Sequence, residues 1–146
     1  MSICRRNTLK CPDCGNKIET EIFDSINAQV NPEWREALLQ GKIHVLKCPI
    51  CQKTVNIDKS LLYHDMENEF MVWYYPFESL KEQGFLDQFS DNGNLDLSTG
   101  LADHETANYY KDVHYVFSMN ELVRYILFRE KLAESKEIVI KGEYAQ

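Results

Sequence analysis

Apolar and polar residues roughly alternate from Lys17 through Ile18, Glu19, Thr20 and Glu21 to Ile22 and Phe23. This is the two-residue period of a half-buried strand running on toward Ala28. The period then changes. Asn31 precedes Pro32, a cap residue before a proline at the first helical position, and Trp34 and Leu38 fall four apart on one side. With Gly41 as the stop, the pattern predicts a short helix over 32–40. Ile43 to Lys47 and Thr54 to Ile57 read as two further strands. Leu61 to His64 and Phe70 to Tyr75 are apolar, aromatic runs separated by Asp65-Met66-Glu67-Asn68. They predict a β-hairpin, which Pro76 ends.

From about 84 to 112 the texture is different, with Gly84, Asn92-Gly93, Gly100 and scattered acids among few periodic apolar positions. We expect a long loop or insertion here, mobile rather than functional. Val113 to Phe117 is again a strand, and Ser118 with Glu121 forms a capping box that opens the longest helix, 118–134. Ile138-Val139-Ile140 reads as a last short strand before a polar tail. At 100° per residue, Met119, Leu122, Val123, Ile126 and Leu127 form one stripe of that helix, which should face the sheet. Tyr125, Phe128 and Leu132 fall on the opposite face, which an ordinary surface helix keeps polar. Two readings follow. The 84–112 segment folds back and covers them with Leu95, Leu97 and Leu101, or they form a surface for self-association or a protein partner. The second is preferred.

Composition narrows the class. The 146 residues are 44% hydrophobic and 27% charged, the balance of a soluble globular chain of one domain, 1–146. No apolar run approaches the ~20 residues needed to span a bilayer, and no secretory leader is expected from the first residues. The net charge is −7, which repels phosphate backbones and argues against nucleic acid. Charge is partly segregated, with Arg5, Arg6, Lys10 and Lys17 near the start and six acids against Lys111 in 87–112.

Cysteine is where chemistry enters. Four of the five cysteines form two pairs, Cys11-Pro12-Asp13-Cys14-Gly15 and Cys48-Pro49-Ile50-Cys51-Gln52, with 33 residues between them. Two residues between cysteines let one tight turn aim both sulfurs inward, and two such knuckles make a tetrahedral Cys₄ site. Proline stiffens the turn, and glycine after the second cysteine takes positive φ freely. Gln52 stands where the first knuckle has Gly15. We therefore expect one structural zinc ion on Cys11, Cys14, Cys48 and Cys51, in a reducing, cytoplasmic setting. Lys10, Lys17, Lys47 and Lys53 flank the knuckles and answer the charge of −2 that four thiolates leave on a divalent ion. Iron accepts the same ligands. A rubredoxin-like electron carrier is the alternative, although such carriers are much smaller than this chain.

Two Cys-Pro-x-Cys motifs bracketing a strand and a helix, with Ile26-Asn27-Ala28, Pro32, Gly41 and Leu62-Tyr63-His64-Asp65, resemble the CpXC domain family of bacterial and archaeal proteins. The resemblance runs from about 10 to 140; it implies the metal and the boundaries and implies no reaction. Among other candidates, His64-Asp65 could serve a hydrolase or nuclease as an acid–base pair, but neighbours on a strand point to opposite faces. The plainer reading is that Asp65 starts the hairpin turn and His64 packs beside Tyr63. His44, four residues before Cys48, is a substitute ligand that four cysteines leave without a role. His104 and His114 form no ligand spacing, and Cys4 reads as a free thiol near a mobile terminus. The expected architecture is α+β: a zinc-ribbon-like pair of knuckles with an inserted helix, an antiparallel or mixed sheet and one long C-terminal helix. Its expected function is a non-catalytic binding module.

Overall fold

Ile3–Lys10 (β1) and Lys17–Asn27 (β2) form a long antiparallel hairpin, followed by the helix Pro32–Leu39 (α1). A second, short hairpin comprises Val45–Lys47 (β3) and Thr54–Asn56 (β4). Leu61–Asp65 (β5), Phe70–Tyr74 (β6), His114–Val116 (β7) and Met119–Ile140 (α2) complete the chain order. These bounds come from a computed structural model that describes residues 2–91, 93 and 112–140, with side chains to 136. The main sheet runs β1-β2-β5-β6-β7 and is mixed: β2 pairs with β5 and β6 with β7 in parallel, and the other neighbours are antiparallel. The architecture is α+β, as expected.

Alternation along β2 stops at a bulge. Ile3 pairs with Ser25 and Cys4 with Phe23, which leaves Asp24 as an extra residue on β2. Phe23 and Ile26, three apart, therefore both enter the core, where strict alternation would separate them. Asp24 meets Arg5 at 3.1 Å on the surface. Phe23 in turn packs edge-on against Trp34 of α1, with ring centroids 4.6 Å apart.

Both helices carry the expected punctuation, with one difference. Pro32 opens α1, but the Asn31 side chain donates to Glu33 Oε1 at 3.0 Å instead of capping the helix. The Trp34 and Arg35 amides go to the Asn31 backbone oxygen. Gly41, at φ 74, closes α1: its N–H donates to Leu38 O and the Lys42 N–H to Ala37 O, the paired bonds of a left-handed helix end. Ser118 Oγ accepts the Glu121 N–H at 3.1 Å and caps α2.

Four expectations need correction. The first residues are a strand, β1, whose faces are so largely exposed that no apolar alternation marks it. Ile138-Val139-Ile140 belongs to α2, since no glycine or proline interrupts the helix after Ser118 and β-branching costs only tenths of a kcal/mol per residue. The stripe of α2 that meets the sheet contains Leu122 and Ile126 with Met119 and Tyr125 beside them, and Leu127 is exposed. Tyr125 turns inward because β6 and β7 offer it an aromatic seat: it stacks on His114 at 4.0 Å and meets Phe70 edge-on at 6.0 Å. Finally, the start of the expected 84–112 loop is packed. Phe85 lies edge-on to Tyr75 at 4.9 Å, and Phe89 is 5.2 Å from Tyr115. Residues 92 and 94–111, with Leu95, Leu97 and Leu101, lie outside the described residues, as does the tail after 140.

Arg35 and Glu130 join α1 to α2 by a two-pronged ion pair, Nε to Oε2 at 2.8 Å and Nη2 to Oε1 at 2.6 Å. The fork geometry fixes the relative position of the helices as well as attracting them.

Candidate metal centre

Each Cys-x-x-Cys forms the tip of a hairpin, the first joining β1 to β2 and the second β3 to β4. The two turns repeat one hydrogen-bond pattern. Gly15 N–H donates to Cys11 O at 2.9 Å, and Gln52 N–H to Cys48 O at 2.9 Å. Cys11 N–H reaches Asn16 O at 2.8 Å, and Cys48 N–H reaches Lys53 O at 2.9 Å. Gly15 sits at φ 76 and Gln52 at φ 65, so glutamine takes the left-handed conformation that glycine takes in the first turn. For a residue with a Cβ that conformation costs roughly 1 kcal/mol.

The turns aim amides as well as sulfurs. The Asp13 and Cys14 amides bond to the Cys11 sulfur and the Ile50 and Cys51 amides to Cys48. The Asn16 amide serves Cys14 and the Lys53 amide serves Cys51. The sequence signals these donors through the glycine of the motif, whose positive φ leaves backbone N–H groups free to point at the sulfurs.

Cys11 Sγ lies 3.7 Å from Cys51 Sγ, and Cys14 Sγ lies 3.6 Å from Cys48 Sγ. All four sulfurs are within 4.8 Å of one another. Sulfurs held ~2.3 Å from a tetrahedral ion stand about 3.8 Å apart, whereas a disulfide brings them to about 2.05 Å. The spacing therefore fits a metal ion, and the four thiols are free. Cys11 and Cys48 are buried and pack with Val55, against which Ile18, Leu46 and Cys51 also lie.

The charges of these sulfurs conflict in the absence of a cation. The Cys51 amide, with the Ile50 amide and the neighbouring thiols of Cys14 and Cys51, outweighs burial and pulls Cys48 down to about 6. Cys11 is lowered in the same way, first by the Cys14 amide and then by that of Asp13. At Cys14 the Asn16 amide favours the thiolate, but burial and the sulfurs of Cys48, Cys11 and Cys51 prevail and push it up to about 11. Cys51 is raised as well: its Lys53 amide is overcome by burial and by Cys11 and Cys48. One sulfur of each turn ionises readily and its partner resists. A divalent ion removes the conflict, because it makes the charged form of all four favourable.

The lysine flanks are placed accordingly. Lys10 stands directly opposite Lys17 at the base of the first turn. Like charges in that position destabilise a hairpin unless negative charge lies nearby. Lys53 reaches Asp13 at 3.5 Å and ties the two turns together at the surface.

The other candidates fall elsewhere. His44 is remote in role from the sulfurs: its Nε2 accepts the Phe23 N–H at 3.0 Å, and its backbone oxygen accepts the Ile57 N–H at 2.8 Å. It thereby pins the β3–β4 hairpin to β2 from a left-handed backbone, φ 58, and so shortens the strand expected from Ile43. Asp65 starts the β5–β6 turn. One carboxylate oxygen takes the Gln29 amide at 2.8 Å and the Asn68 N–H at 2.9 Å, and the other takes the Asn68 side chain at 2.9 Å. His64 precedes it on β5, on the other face of the strand. His114 stacks on Tyr125, and His104 lies outside the described residues. Cys4 sits on β1 against the core, its thiol raised first by burial and then by Glu21 and Asp24. No helix among the described residues is long and apolar enough to cross a membrane.

Comparison with known proteins adds one result. A family model described as CpXC protein matches residues 9–139. No curated protein and no solved structure matches the chain.

Proposed function

The chain belongs to the CpXC family, and from that membership and the cysteine geometry we propose that it is a non-catalytic binding module stabilised by one zinc ion. The observation that carries this reading is the closure of the site. Four sulfurs at tetrahedral spacing saturate the ion and leave no position for a substrate or an activated water. Zinc is favoured over iron because about two thirds of the chain lies beyond the second cysteine pair, far more than a small electron carrier uses. Free thiols at all described cysteines suit a reducing compartment such as the cytoplasm.

The binding surface we assign to α2. Phe128 is 57% exposed, and Leu127 and Leu132 are 46% and 38% exposed, so three large apolar side chains stand in solvent on one helix. Tyr125, committed to Phe70 and His114, borders that surface rather than forming it. Elemental analysis of the purified protein tests the ion: about one zinc per chain is expected, and a red, iron-containing protein would replace this reading with the electron carrier. Light scattering tests the surface. Phe128→Glu should leave the fold intact and reduce the apparent mass of the wild-type assembly; a wild type monomeric at high concentration overturns self-association.

A further inference from the structure

The charges on the outer face of α2 are sorted by sign. At 100° per residue, Arg124 and Lys131 stand between the exposed Leu127 and Phe128, and Lys136 follows beside Leu132. All three cations are exposed. Neighbours on a helix lie three and four residues apart. For Phe128 and Leu132 those neighbours include Arg124, Arg129, Lys131 and Lys136, and no carboxylate. Arg129 leans back toward the sheet, over the Phe70 ring at 4.8 Å and onto Tyr125 Oη at 3.0 Å. The acids of α2 are placed otherwise. Glu130 is held by Arg35, and Glu121 lies two turns before Phe128. Glu134 meets Lys131 in an exposed contact of 3.8 Å, which a partner's carboxylate can replace.

On a chain of net charge −7, an apolar patch is thus set among cations. A second copy complements it poorly. A two-fold axis near Phe128 brings Arg124 against the partner's Lys131 when the helices run antiparallel, and against the partner's Arg124 when they run parallel. A helix whose apolar stripe is lined by Asp and Glu satisfies both the apolar side chains and the charge. We propose that α2 docks an acidic amphipathic helix of another protein. Phe128 and Leu132 pack into its apolar stripe, and Arg124, Lys131 and Lys136 meet its carboxylates. The proposal rests on the reading that α2 carries the binding surface, and it makes a second copy the weaker occupant, which the acidic helix displaces.

Three synthetic helical peptides test it on the full-length, metal-loaded protein by amide chemical shifts. They share one leucine stripe and differ only in the residues beside it, which are glutamate, glutamine or lysine. The glutamate peptide should saturate, shift the amides from Leu127 to Leu132 and weaken on addition of salt. The glutamine peptide should bind about tenfold more weakly, and the lysine peptide should not bind. The double variant Arg124→Glu, Lys131→Glu is changed only at exposed positions. It should lose the glutamate peptide by about tenfold or more and take up the lysine peptide instead. No saturable shift with the glutamate peptide, equal binding of the glutamate and lysine peptides, or unchanged affinity in the folded double variant would each overturn the proposal. Binding to phosphatidylserine vesicles without a response to the glutamate peptide overturns it in favour of a membrane surface. If Phe128→Glu dissociates a wild-type assembly while no peptide binds, α2 keeps its surface and the acidic partner is removed.

Discussion

Around Leu61, Tyr63, Val72, Leu122 and Ile126, none of them exposed, the sheet and α2 close on a cluster of thirteen buried side chains among the described residues. Around the cysteine turns the corresponding cluster is Cys11, Cys48 and Val55. At ~1.5–3 kcal/mol per buried apolar side chain, the first region can stand on hydrophobic burial. The second cannot, since two of its three members are sulfurs that carry charge when they ligate. Its order depends on what the sulfurs bind. One short chain thus contains a body stabilised by area removed from water and an appendage whose four sulfurs are positioned for coordination.

Metal removal should separate the two most sharply. Structural metal binding by four thiolates is worth on the order of 10 kcal/mol, and here it closes the long connection between the hairpins. A strong chelator, or Cys48→Ser, should abolish hydrogen-exchange protection in β3 and β4 and lower the melting temperature by well over ten degrees. Protection at β5 and β6 should outlast it. Equal loss in both regions would mean that the body also rests on the metal, and an unchanged melt after proven metal removal would show that coordination contributes little.

The converse experiment acts on the body. Ile126→Ala deletes fully buried methyl groups where α2 meets the sheet, at a cost of about 2–5 kcal/mol. Denaturant unfolding should register that loss while the bound metal per folded chain stays constant. If the variant also loses metal under native conditions, the two regions fold as one unit and the contrast drawn above is too strong.

His44 is the joint between the regions, so it predicts a smaller and pH-dependent effect. Burial first of all lowers its pKa from the usual histidine value. The unfolded chain therefore binds a proton near pH 6.5 while the folded chain still resists, and stability that is complete above about pH 6.5 is lost as pH falls below it. His64 and His114, both lowered chiefly by burial, add loss of the same sign. Denaturant unfolding of metal-loaded protein at pH 5.5 and 7.5 isolates the joint by comparison with His44→Phe. The variant should be about 1–3 kcal/mol less stable at pH 7.5, because the Phe23 N–H loses its acceptor, and it should depend less on pH than the wild type. An identical pH dependence would remove His44 from the account.

What could be read in advance follows the same division. The cysteine turns were legible because the ligand set, the proline and the glycine lie within five residues and act locally. The β5–β6 hairpin was legible because two apolar, aromatic runs flank the polar Asp65-Met66-Glu67-Asn68, and α2 because Ser118 and Glu121 mark its start. β1 was hidden, since a strand exposed on most of its length carries no apolar period. The facing of α2 was displaced because Tyr125 is drawn to Phe70 and His114, residues remote in sequence that no helical wheel contains. The structural role of His44 was hidden for the same reason: its partner Phe23 is 21 residues away, across a bulge.

The smallest expected effect asks how far the metal dictates the backbone of its own turns. Gln52 and Gly15 hold equivalent left-handed positions, φ 65 and φ 76, with the same amide bond to the first cysteine of the turn. A Cβ at Gly15 would meet Lys10 Cε at 3.5 Å, an ordinary contact, so only backbone strain opposes a side chain there. Gly15→Ala should then cost roughly 1 kcal/mol. Gln52→Gly should relieve a similar strain, less the extra freedom that glycine gives the unfolded chain, for a gain of about 0.5 kcal/mol. Paired denaturant curves on metal-loaded protein would resolve both. If coordination fixes the two turns alike, the changes will be opposite in sign and leave metal affinity nearly untouched. Should Gln52→Gly instead destabilise, the glutamine side chain makes a contribution of its own, and the second turn is more than a copy of the first held in place by the ion.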